Sequence, residues 1–141
     1  MHRLEIRAVV PCPRVFIDGT DPATGETVRT TIYSGYVALV QRPGFWIGTV
    51  DELEQVSFFL PDSAPYSQPP AALGVELGLR RFKSTSHSSL SQVHFGACDE
   101  RAAVAPDPRG GDNQWLHLTF HTPVAFHALV EINYRVTVQS R

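Results

Sequence analysis

Apolar side chains recur at every second position through most of this chain. In residues 3–10, Leu4, Ile6, Ala8 and Val10 alternate with Arg3, Glu5, Arg7 and Val9, which is the period of a half-buried strand. Pro11 and Pro13 end it, because proline cannot donate to a ladder. RVFID (14–18) reads as a second short strand and GTDPATGE (19–26) as a turn cluster. A long strand is predicted over 28–41, kinked at Gly35, where a missing side chain allows a bulge. RPG (42–44) is the next turn, with FWIGTV (45–50) and VSFFL (56–60) as strands.

One stretch carries a helix signal. In TVDELEQV (49–56), Thr49 and Glu52 have capping-box spacing, which predicts at most two turns of helix. PDSAPYSQPPA (61–71) holds four prolines and is predicted to be a loop. In LGVELGL (73–79), Leu73, Val75, Leu77 and Leu79 share one face and Gly74, Glu76 and Gly78 the other. KSTSHSSLS (83–91) is polar and loop-like, QVHFGAC (92–98) reads as a strand, and DERAAVAPDPRGGDN (99–113) as the longest irregular stretch. QWLHLTFH (114–121) alternates again, and Thr122-Pro123 marks a break.

The last run, 124–138, is the strongest signal. Every even position from Val124 to Val138 is apolar, while most odd positions are polar. At ~3.3 Å per residue it would span roughly 50 Å, far beyond the ~14 Å radius of gyration expected for this length. Such a strand either bends and serves both layers of a sandwich, or projects and completes a sheet in a neighbouring subunit.

These elements predict an all-β fold: an antiparallel β-sandwich of jelly-roll or immunoglobulin-like type, with a closed barrel as second choice. No repeat or linker divides residues 1–141, which read as a single domain. Composition agrees, since 141 residues at 43% hydrophobic and 18% charged can bury a core. Eleven prolines and ten glycines favour short elements and turns over long helices.

Charge narrows the function classes. A net charge of −2 leaves no basic surplus for nucleic acid, and Arg80-Arg81-Phe82-Lys83 reads as a solvated strand end. No apolar run approaches the ~20 residues of a membrane span, and Glu5 and Arg7 interrupt any signal-peptide core, so a cytoplasmic location is expected. Cys12 and Cys98 stand far apart and read as free thiols.

Candidate chemistry is sparse. Trp115, His117, Thr119 and His121 fall on the outward face of 114–121, and His94 on the outward face of 92–98. If these strands pair, His94 and His117 approach each other. His117 and His121 lie ~13 Å apart along a strand and cannot share one ion. Asp18, Asp21 and Glu26 could in principle offer oxygen ligands, but read more simply as turn residues. No nucleophile elbow, phosphate loop or zincin motif occurs. The expected function is therefore a non-enzymatic binding or structural module without cofactor, acting through protein contacts or self-association, with binding residues Trp115, His117, His121 and His94. The alternative is a small metal- or carbohydrate-binding β-protein built on that Trp/His face.

Overall fold

Two antiparallel sheets pack face to face in the computed structural model, which describes residues 4–41, 53–63, 66, 70, 72–84, 98–106, 114–123 and 127–140. Eight strands are present: β1 (Leu4–Pro11), β2 (Val15–Thr20), β3 (Thr27–Gln41), β4 (Leu53–Phe59), β5 (Ala72–Ser84), β6 (Cys98–Pro106), β7 (Gln114–Pro123) and β8 (His127–Ser140). The larger sheet runs β1-β3-β8-β5, with β2 also on β3; the smaller runs β4-β7-β6. The fold is an all-β sandwich, as the period of two predicts.

The core lies between the sheets. The larger sheet contributes Val37 and Leu39 from β3, and Val130, Ile132, Tyr134, Val136 and Val138 from β8. The smaller contributes Val56, Phe58, Leu60, Leu116, Leu118 and Phe120. Phe58 sits edge-on to both Phe120 and Tyr134, with ring centroids 6.5 and 5.6 Å away. A buried hydroxyl stitches the layer: Ser63 donates to the Leu60 carbonyl (2.7 Å) and accepts from the Leu116 N–H (3.1 Å).

β8 is central. It pairs with β3 from Arg29↔Ser140 to Val40↔Leu129, and with β5 from Ala72↔Gln139 to Ser84↔His127. Both edges of the C-terminal strand are thus occupied within the chain, which overturns the projecting reading. The strand can be so long because its two partners, of 15 and 13 residues, are equally long.

β1 and β2 lie end to end along the other edge of β3, separated by Cys12-Pro13-Arg14. Gly35 faces Pro11 at that interruption. A Cβ on Gly35 would fall 2.3 Å from the Val10 carbonyl oxygen and 2.7 Å from the Tyr134 hydroxyl, so glycine is what lets the interrupted edge and the tyrosine meet there. Burial pushes the Tyr134 hydroxyl pKa up to about 12.

Three local expectations change. Residues 53–56 are strand, not helix, because β4 pairs with β7 and turns Val56 into the core; residues 49–52 lie outside the described residues. Residues 99–106, expected to be irregular, continue β6 and pair with β7 after a bulge between Cys98 and Arg101. β5 also runs further than 79, reaching Ser84 through a bulge between Leu79 and Arg81. The segments 45–50 and 92–97 lie outside the described residues.

Candidate functional site

Strand β7 positions the sequence-predicted site. Leu116, Leu118 and Phe120 are fully buried, so the alternate set, Trp115, His117, Thr119 and His121, faces away from the other sheet. This face is not simply solvated: Trp115, His117 and His121 are half-buried and Thr119 is buried.

His117 lies between Phe59 of β4 and Ala103 of β6 in the ladder. Its ring centroid is 4.8 Å from that of Phe59, tilted by 58°. Its Nδ1 is 3.5 Å from the Thr119 Oγ1, which in turn is 3.1 Å from the Ser57 Oγ. Burial holds the His117 pKa below its ordinary value, because charging the ring there would cost solvation. His117 is therefore a neutral packing residue near pH 7, not a cationic one.

His121 sits two rows beyond His117, past Thr119, opposite Gln55 and Cys98. Its Nδ1 is 3.8 Å from an Asp99 carboxylate oxygen, beyond hydrogen-bond reach. Among the described residues, His121 Nδ1 and the Thr122 hydroxyl have no hydrogen-bond partner. Trp115 pairs in register with Ala105. His94 lies outside the described residues. The strand partner of β7 on this side is Cys98–Pro106, and residues 92–97, for which an approach to 114–120 is expected, lie outside the described residues. Among the described residues, no three His, Cys, Asp or Glu side chains gather closely enough to hold a metal ion.

The other candidate groups are engaged in structure. Asp18 takes both ends of the Arg29 guanidinium, at 2.8 and 3.2 Å, and this partner holds its carboxyl below the usual range. Asp21 Oδ1 accepts from the Ala23 N–H (2.9 Å) and so closes the turn. Arg80 donates to Glu131 (3.0 Å) and lies 4.3 Å over the Tyr36 ring, so part of the basic run is neutralised on the sheet's outer face. Cys12 and Cys98 are free thiols.

Two features escaped the sequence. One is a cavity of about 450 Å³ between the β1 and β4 edges, walled by Leu4, Ile6, Leu39, Glu54, Val56 and Ser57. Glu54 closes one side by accepting from the Leu4 N–H (2.7 Å). The other is β2, exposed along its whole length, with Val15, Phe16 and Ile17 at 50%, 50% and 54% exposure. The Arg14 and Arg29 guanidinium carbons each lie 5.3 Å from the Phe16 ring centroid. The available signal was three consecutive large apolar residues between Arg14 and Asp18: a strand that abandons alternation has no dry face to hide them in.

Among the described residues, no helix is long and apolar enough to cross a membrane. In comparison with known proteins, no family model, no curated protein and no solved structure matches the chain.

Proposed function

We propose that this chain is a non-enzymatic β-sandwich that works through protein–protein contacts, by self-association or on a protein partner, as a subunit of a larger assembly. The observation that carries this reading is β2, where three adjacent large apolar side chains stand about half exposed on a strand that, among the described residues, pairs only with β3. Single exposed apolar residues are ordinary, but a contiguous run on an open strand edge is a pairing hazard that proteins usually blunt. Its retention here is explained if the edge is covered in the working state.

Light scattering across a wide concentration range, with mass spectrometry of whatever co-purifies, tests the reading. A specific oligomer or a stoichiometric protein partner is expected. A chain that stays monomeric at high concentration and retains no partner removes it. Stoichiometric metal on elemental analysis would favour instead the face carrying Trp115, His117 and His121.

A further inference from the structure

We infer that the outer edge of β2, which pairs with no other strand among the described residues, is a self-recognition strand, in which Arg14–Asp18 of two copies pair antiparallel about a two-fold axis through Phe16. The inference rests on the self-association reading and gives it a surface, a register and an occupant: a second copy of this chain.

Backbone geometry comes first. The Asp21 N–H donates to the Glu26 carbonyl at 2.8 Å, and the ladder continues as Gly19↔Val28, Ile17↔Thr30 and Val15↔Ile32. Hydrogen-bonded and non-bonded pairs alternate in an antiparallel ladder, so Val15, Ile17 and Gly19 turn their N–H and C=O toward β3. Those of Phe16 and Asp18 consequently point to the open edge. A second β2 laid antiparallel with Phe16 opposite Phe16 makes a hydrogen-bonded pair, each N–H donating to the other carbonyl.

Side-chain chemistry selects the same register. With Phe16 on the axis, Val15 of one copy faces Ile17 of the other, and Arg14 faces Asp18, each occurring twice by symmetry. Val15 and Ile17 share one face of the ribbon and Phe16, Arg14 and Asp18 the other. Apolar therefore meets apolar on one side, while a ring pair flanked by opposite charges forms on the other. A register centred on Ile17 puts Phe16 against the Asp18 carboxylate and leaves Arg14 opposite Thr20, so both gains are lost. RVFID is thus self-complementary in one register.

The neighbouring sequence confines the contact. Pro13 and Pro11 lack an N–H, so the new ladder stops at Arg14, and Gly19 leaves room opposite the Pro13 ring. β1, further along the same edge, is blunted by the bulge between Ile6 and Ala8 and by Pro11. Of this edge of the larger sheet, β2 alone is left straight and apolar. The product is a continuous sheet running from β5 of one molecule to β5 of the next, joined through β2.

Sedimentation velocity on the full chain tests this. The parent is expected at twice its 15.6 kDa mass. Arg14→Asp sets a carboxylate against Asp18 of the second copy, and Asp18→Arg sets two guanidinium groups together; each should raise the dimer dissociation constant roughly 10- to 100-fold. Mixing the two variants should restore a dimer, since R14D offers two acids and D18R two bases in the same register. Circular dichroism checks that both remain folded, since R14D removes the Arg14 bond to the Asp62 carbonyl (3.0 Å) and D18R removes the Asp18 pair with Arg29 of its own chain (2.8 Å). Variants that dimerise as tightly as the parent would overturn the β2 edge while leaving self-association standing. Monomeric variants that fail to recombine overturn the register. A parent that is monomeric but holds a different protein overturns the self-pairing and spares the wider contact reading.

Discussion

Replacing Gly35 by alanine adds one methyl group, and the structure says where it goes. The new Cβ would lie 2.3 Å from the Val10 carbonyl oxygen, 2.7 Å from the Tyr134 Oη and 2.9 Å from the Pro11 Cα. Two of these neighbours are backbone and the third is a core tyrosine, so no flexible side chain can swing aside. Reaching ordinary contact at 3.4 Å requires the β1 backbone to retreat by about 1 Å, which is overpacking of the kind that costs roughly 1–3 kcal/mol, and more where main chain must move. The retreat also strains the Cys12 N–H bond to the Ser34 carbonyl (2.9 Å), a contribution of about 1 kcal/mol. Against this, alanine lowers the entropy of the unfolded chain and returns about 0.4–1 kcal/mol. The net expectation is destabilisation by about 3 kcal/mol, or a melting point lower by about 10 °C at this chain length. Urea unfolding followed by circular dichroism measures it. Gly78→Ala is the control: a Cβ there meets nothing within 4 Å, so it should be neutral or gain up to about 1 kcal/mol. A G35A protein as stable as its parent, or a control that loses as much, would refute the reasoning.

Other expectations follow from buried groups. Ser63→Ala strands the Leu116 N–H and deprives the Leu60 carbonyl of a donor, both in a dry layer, and should cost about 2 kcal/mol or more by urea denaturation. Deleting residues 132–141 removes the middle of the central strand and parts β3 from β5; the truncated chain should be insoluble, and a cooperative melt at the parent temperature would contradict this. Acid should destabilise the fold through His117. Its folded pKa lies below the ordinary 6.5, so as pH falls through that value the unfolded chain takes up a proton the folded chain resists. Melting temperature should therefore drop between about pH 7.5 and 5.5, and His117→Asn should flatten part of the slope.

The fold class was legible because it is written in a local code. Alternation in 28–41, 73–79, 114–121 and 124–138 states which side chains are dry, and Leu118, Phe120, Ile132 and Val136 are indeed in the core. Gly35 was legible as a special position for a similar reason, since a lone glycine in a strand marks a close approach, but the predicted kink is not a bulge: β3 keeps an unbroken register with β8 through Gly35. Weakly patterned segments misled. Residues 53–56 carry capping-box chemistry nearby, and Leu53 remains 47% exposed, so only the pairing with β7 makes them strand. In β6 the charged and proline ends concealed a modest alternation at Ala102 and Val104, which acquires meaning only beside Leu118 and Leu116. The predicted Trp115–His117–His121 face exists, but its half-burial and the neutrality of His117 depend on neighbours far away in sequence.

Side-chain order along the chain thus settled most of the strands and their inward faces, because a period of two is a property of each segment alone. Which strand lies in the middle and which at the rim is a property of pairs. Hydrogen bonds between segments far apart in sequence place β8 between β3 and β5, and among the described strands they give β2 no partner but β3. No local pattern encodes that choice, since any extended segment presents the same backbone groups on both of its edges. That β2 pairs with β3 alone among the described strands, which is the basis for the proposed pairing with a second copy, therefore emerged only when the chain was folded.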